Sequence, residues 1–83
     1  MIIRLTNHAK GKIKHRGISI QDVEETVRNP DKSERDKVDE ELTHFVKRFH
    51  DRYLRVIVKN VKDDIIIISA FYDRRLKRGQ RHD

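Results

Sequence analysis

The stretch Ile65-Ile66-Ile67-Ile68-Ser69-Ala70-Phe71-Tyr72 is the longest uncharged run in the chain, and the sequence before it is broken by charge every few residues. β-Branched and aromatic side chains fit a pleated, packed surface, so the run reads as a strand. It is too short to span a bilayer and too β-branched to favour a helix. Isoleucine at successive positions makes both faces apolar at its start. That predicts an internal strand, covered by helices on one face and partly covered on the other. The run ends abruptly at Asp73-Arg74-Arg75-Leu76-Lys77-Arg78. The core strand thus delivers a basic cluster to one edge of the fold, and residues 74–83 form a basic C-terminal tail. Such a run reads either as a polyanion contact or as plain solvated charge.

An 83-residue chain is expected to form a single domain, 1–83, with a small core that needs a well-covered sheet. Twenty Lys and Arg against 14 Asp and Glu leave a net charge of +6. That balance favours a polyanionic partner, nucleic acid ahead of an anionic membrane surface. The 41% charged content, with few Asn and Gln, also fits a protein adapted to heat. The chain has no cysteine, which excludes disulfides and thiolate metal sites and fits a cytoplasmic location. Met1-Ile2-Ile3-Arg4 is followed by no apolar signal-peptide region, and no stretch is long enough to cross a membrane.

Met1–Leu5 reads as a short edge strand or an ordered lead-in. Thr6 or Asn7 can cap a helix over about Asn7–His15, its apolar stripe narrowed to Ala9 and Ile13. Gly11 weakens that helix by about 1 kcal/mol relative to Ala, and Gly17 is a natural left-handed terminator. Ser19, with Asp22 three residues on, starts a second helix over Ile20–Arg28, with Ile20, Val23 and Val27 on one face; Asn29-Pro30 stops it. Asp31–Glu41 holds six acids and three bases and reads as a loop or a ragged edge strand. Leu42–Phe49, Tyr53–Lys59 and Ile65–Phe71 follow as strands joined by short turns. The expected fold is α+β: two N-terminal helices packed on an antiparallel sheet of three to four strands. Ile13, Ile18, Val23, Val27, Leu54, Val56, Ile65, Ile67 and Phe71 are the expected core.

No motif for a common cofactor is present: the chain has no GxGxxG, Walker A, HExxH or G-x-S-x-G pattern. Its five histidines lack metal-ligand spacing, so neither a metal site nor a cofactor is expected. The first helix carries the more informative pattern. At 100° per residue, His8, Lys12 and His15 fall in one sector with Arg16 beside it. Such a row is either a solvated basic face or a phosphate site, in which Lys and Arg neutralise phosphate and His moves a proton.

Thr6-Asn7-His8-Ala9, Lys12, Arg16-Gly17-Ile18-Ser19, Val23, Val27 and Asn29-Pro30 resemble a small bacterial and archaeal family of unknown function. That family is similar to the BrnT and RelE/ParE-type toxins of toxin–antitoxin systems, and Ile68–Arg75 looks like the end of the BrnT sheet. The resemblance runs from Leu5 to about Arg75. It implies a RelE/BrnT-like fold and metal-independent endoribonuclease activity, with a cognate antitoxin as partner. Such chemistry needs a base for the ribose 2′-OH, an acid for the leaving oxygen and cations for the phosphorane. His8 and Arg16 are the catalytic candidates on the matching positions. Lys12 stands where the family more often has arginine and lacks its bidentate fork. Arg55, Tyr72, Arg74, Arg75, Lys77 and Arg78 are candidate RNA contacts from the sheet and tail.

Two other functions fit the same residues. One is a non-catalytic RNA- or DNA-binding module with the same basic surface. The other is a protein-interaction domain that binds through Asp31–Glu41, which predicts an exposed apolar patch near Val38–Phe45. The ribonuclease reading requires the His8 ring and the sheet-borne arginines to meet in one cleft.

Overall fold

A computed structural model of the protein describes residues 2–76. In chain order the elements are β1 (Ile3–Leu5), α1 (Asn7–His15), α2 (Ile20–Arg28), β2 (Lys32–Arg35), β3 (Leu42–Phe49), β4 (Arg52–Val61) and β5 (Asp64–Tyr72). The strands form one sheet in the order β1-β5-β4-β3-β2. β2 to β5 pair antiparallel, whereas β1 lies parallel to β5, with Ile3 opposite Ile65 and Leu5 opposite Ile67. The fold is therefore α+β, as the sequence suggests, but the sheet has five strands and is mixed. The first strand is the difference. Met1–Leu5 reads from sequence as an edge strand or a lead-in, and Ile3–Leu5 is an edge strand, but three residues do not reveal that they pair in parallel with the Ile65 run, some sixty positions away.

Local sequence sets both helices. Thr6 caps α1, its hydroxyl accepting from Ala9 N at 3.0 Å. At the other end Gly17 takes φ 68°, Gly17 N bonds Lys14 O, and Ile18 N bonds Ile13 O, each at 3.0 Å. This is a Schellman ending, and the apolar pair that accompanies it, Ile13 and Ile18, is buried. Ser19 caps α2 through Asp22 N, and Asn29 closes it before Pro30. Lys47 Nζ donates to Asn29 O at 2.8 Å, so a cation sits where the helix dipole favours one.

The αα unit carries the chain from β1 at one edge of the sheet to β2 at the other and covers one face on the way. α1 packs on β5, and α2 on β4 and β3. Ala9, Ile13, Ile18, Val23 and Val27 meet Leu54, Val56, Val58, Ile65, Ile67 and Ala70 in one core. Eight of the nine residues expected in the core are buried; Phe71 is half-buried. The cause is a bulge. Ser69 pairs with Ile57 and Ile67 with Val58, leaving Ile68 without an opposite residue. One extra residue reverses the alternation, so Ala70 and Tyr72 continue the helix-covered face and Phe71 turns to the other. Phe71 sits opposite Arg55 on that open face.

No helix of the described residues is long and apolar enough to cross a membrane.

Candidate nucleic-acid interface

The helix-covered and open faces of the sheet each carry a charged cleft. On the first, α1 buries Ala9 and Ile13 completely and turns its other side outward. Asn7, His8, Gly11, Lys12, His15 and Arg16 line a shallow groove of about 420 Å³ there. No carboxylate lines it, and none of its side chains takes part in an ion pair among the described residues. Arg16 is anchored: Nη1 donates to Ala70 O at 2.9 Å, tying the end of α1 to β5. Tyr72 lies two residues beyond Ala70 on the same face, with Arg52 Cζ stacked 3.5 Å from its ring centroid.

The open face holds a deeper cleft of about 600 Å³, built around Arg55. Leu54 and Val56 point into the core, so strand alternation sends Arg55 to the opposite side. Its side chain is 7% exposed, and partners surround it. Nε donates to Asp73 Oδ2 at 2.8 Å, and Nη1 donates to Glu34 Oε1 and to His44 Nδ1, each at 2.9 Å. A guanidinium only donates, so His44 Nδ1 accepts and the ring proton sits on Nε2. Nε2 then donates to Asp36 Oδ1 at 2.6 Å. Asp36 Oδ2 accepts from the Val38 and Asp39 amides. Arg75 closes the chain with its Nε and Nη2 on Asp73 at 3.1 Å.

The carboxylates respond to these donors. The Arg75 hydrogen bond is the largest influence on Asp73; with Arg55 it outweighs burial and lowers the pKa to about 2. The Arg55 hydrogen bond lowers Glu34. The Asp39 amide, then the His44 ring, lower Asp36. Every partner is internal, and the network joins β2, β3, β4 and the segment after β5.

The sequence-derived candidates separate accordingly. His8, Lys12 and Arg16 share the α1 groove. Arg55 and Arg75 belong to the open-face cleft, so His8 and these arginines do not meet in one cleft. Tyr72 is half-buried against the core and carries Arg52; Arg74 is exposed in the turn after Asp73. Lys77 and Arg78 lie outside the described residues. The interaction-domain reading called for an apolar patch near Val38–Phe45. Val38 is 93% exposed, but Leu42 is half-buried and Phe45 packs on the core.

Sequence reasoning missed the Glu34–Asp36–His44–Asp73 network, although one signal was present. An arginine between Leu54 and Val56 on a central strand must find buried partners, because an unpaired charge there is costly. It also left Gly11 out of the α1 groove. Among the described residues no group of three or more His, Asp or Glu has metal-binding geometry.

Fold and groove together define a small α+β protein that presents a basic helix face beside a mixed sheet. By sequence the chain belongs to the family described as Domain of unknown function (DUF4258), whose model matches residues 5–72. Comparison with curated proteins and with solved structures returns no match.

Proposed function

We propose that this protein binds RNA through the outer face of α1, with Lys12 and Arg16 on phosphates and His8 and His15 beside them. One observation carries the reading: two imidazoles and two cationic side chains line the groove and no carboxylate does. An anion entering it meets two cations and several N–H donors and no negative charge. Lys12 and Arg16 stand one helical turn apart, about 6 Å along the axis, a spacing that suits adjacent phosphates better than a single small anion. The net charge of +6 adds long-range attraction. With RNA as partner, the protein works in the cytoplasm. The test is the affinity for a short RNA measured at rising salt. Binding should fall linearly in log–log form as counterions are released; undetectable binding at low salt overturns the proposal.

A second reading, a RelE/BrnT-like toxin that cuts RNA without a metal, is favoured by a separate observation. His8 and His15 both open onto the groove, which offers an acid and a base beside the same phosphate row. Because His8 does not share a cleft with Arg55 or Arg75, the form of that reading with sheet arginines fails; in the form that remains, α1 carries the chemistry alone and a cognate antitoxin covers the groove. Incubation of RNA with the purified protein, with and without chelator, decides it. Cleavage that survives chelation and falls about a hundredfold or more in His8→Ala supports the toxin reading. Intact RNA leaves the binding function alone.

A further inference from the structure

Gly11 sits in the interior of α1, where glycine is less favourable than alanine. The usual reasons for keeping one there are missing. Its φ is not positive, unlike that of Gly17, which needs 68° to end the helix. Packing does not require it either: a Cβ built at Gly11 meets nothing within 4 Å. What remains is the space its side chain would occupy. Asn7, His8, His15 and Lys12 are its i−4, i−3, i+4 and i+1 neighbours, and these same residues ring the groove of which Gly11 is a lining member. On a helix surface, positions three and four apart are nearest neighbours. The groove is therefore hollow because its middle position has no side chain.

We infer that the absent side chain of Gly11 creates a phosphate subsite on α1, in which one backbone phosphate of RNA lies against the helix between His8, Lys12 and His15. The inference rests on the RNA-binding reading and adds to it a seat for one particular phosphate. Lys12 supplies a compact charge, the two imidazoles and the Asn7 amide supply N–H donors, and no carboxylate lines the seat. Arg16, fixed to Ala70 O, stands at the C-terminal end of the groove and takes the next phosphate.

The test uses the full chain, Gly11→Ala, Gly11→Leu, Lys12→Ala and the double variant Gly11→Leu/Lys12→Ala. Thermal unfolding and affinity for matched single-stranded RNA and DNA oligomers across salt are the readouts. Gly11→Ala should raise the melting temperature while weakening binding. Gly11→Leu and Lys12→Ala should each lower the slope of log K against log salt by about 1, the signature of one lost phosphate contact. The double variant should lose no more slope than either single one, because both changes empty the same seat. RNA and DNA should lose affinity equally, since phosphate is common to both. Weaker RNA binding with DNA unaffected means that the seated group is not phosphate and overturns the inference. Wild-type affinity and slope in both Gly11 variants, with Lys12→Ala weakened, overturn the subsite and leave RNA binding standing. No RNA binding by the wild-type chain overturns both.

Discussion

The two clefts use their basic side chains differently: the open-face cleft matches its central arginines to acids, although the exposed Arg35 and Lys37 also line it, and the α1 groove matches none among the described residues. On the open face, Arg55 and Arg75 answer Asp73 and Glu34, and His44 answers Asp36. In the α1 groove, His8, Lys12, His15 and Arg16 face no carboxylate. The net charge of +6 therefore says less than its placement does. Cations matched to acids brace the sheet, and cations left without acids are available to a partner. Arg55 sits in the middle of the sheet and would be a poor ligand for RNA, because each group it faces is already a partner of its own.

The largest effect should come from breaking the brace. Asp73→Ala removes the carboxylate that holds both Arg55 and Arg75 and leaves Arg55 buried with Glu34 as its one carboxylate partner, beside the His44 ring. Loss of one member of a buried pair costs about 3–5 kcal/mol, a large share of the stability of a domain this size. Chemical denaturation of Asp73→Ala against wild type checks this; a change under a kilocalorie would make the network ornamental. RNA affinity of the folded fraction should stay as in wild type, because no part of the α1 groove is touched.

Acid should break the same side more gently. The folded-state pKa of Asp73 is lowered from 3.8 to about 2, and those of Glu34 and Asp36 are lowered as well. Groups whose pKa is lower in the folded state stabilise it fully above their ordinary range and lose that contribution as pH falls through the folded value. Stability should therefore decline between about pH 4 and pH 2. Urea midpoints across that window provide the measurement, and Asp73→Asn should flatten the decline. An Asp73→Asn variant with the full wild-type decline would place the acid sensitivity elsewhere.

The contrast also explains what could be read from the chain. Helix boundaries were legible because caps are local: Thr6, Gly17, Ser19 and Asn29-Pro30 act within a few residues of themselves. The Ile65 run marked the internal strand for the same reason. Phe71 was misplaced because a single bulge at Ile68 inverts everything after it, and no side chain in an all-isoleucine run marks where the extra residue sits. The α1 row was legible because it lies on one helix with a known period. The open-face network was not, because it joins residues from Glu34 to Arg75 through strand pairings that the sequence does not display. Asp31–Glu41, an acidic stretch suggestive of a partner site, supplies Glu34 and Asp36 to that network instead.

A charge-matched pair of variants gives the smallest effect and the sharpest comparison. Lys12→Gln and Arg75→Gln each remove one positive charge, so both lower the net charge equally. If net charge alone governed RNA binding, both would reduce the salt slope alike. On the present geometry they differ. Lys12 lines a groove without carboxylates, and its loss should lower the slope by about 1. The Arg75 guanidinium lies on Asp73, so its loss should leave slope and affinity nearly unchanged. Arg75 is 80% exposed, and an exposed ion pair is largely screened by solvent and salt, so its loss should also shift the unfolding midpoint little. Equal slopes for the two variants would erase the distinction between the clefts and return RNA recognition to the basic segment after β5. A lower slope in Lys12→Gln alone would fix recognition on α1, although the longest basic run in the sequence lies at the other end of the chain.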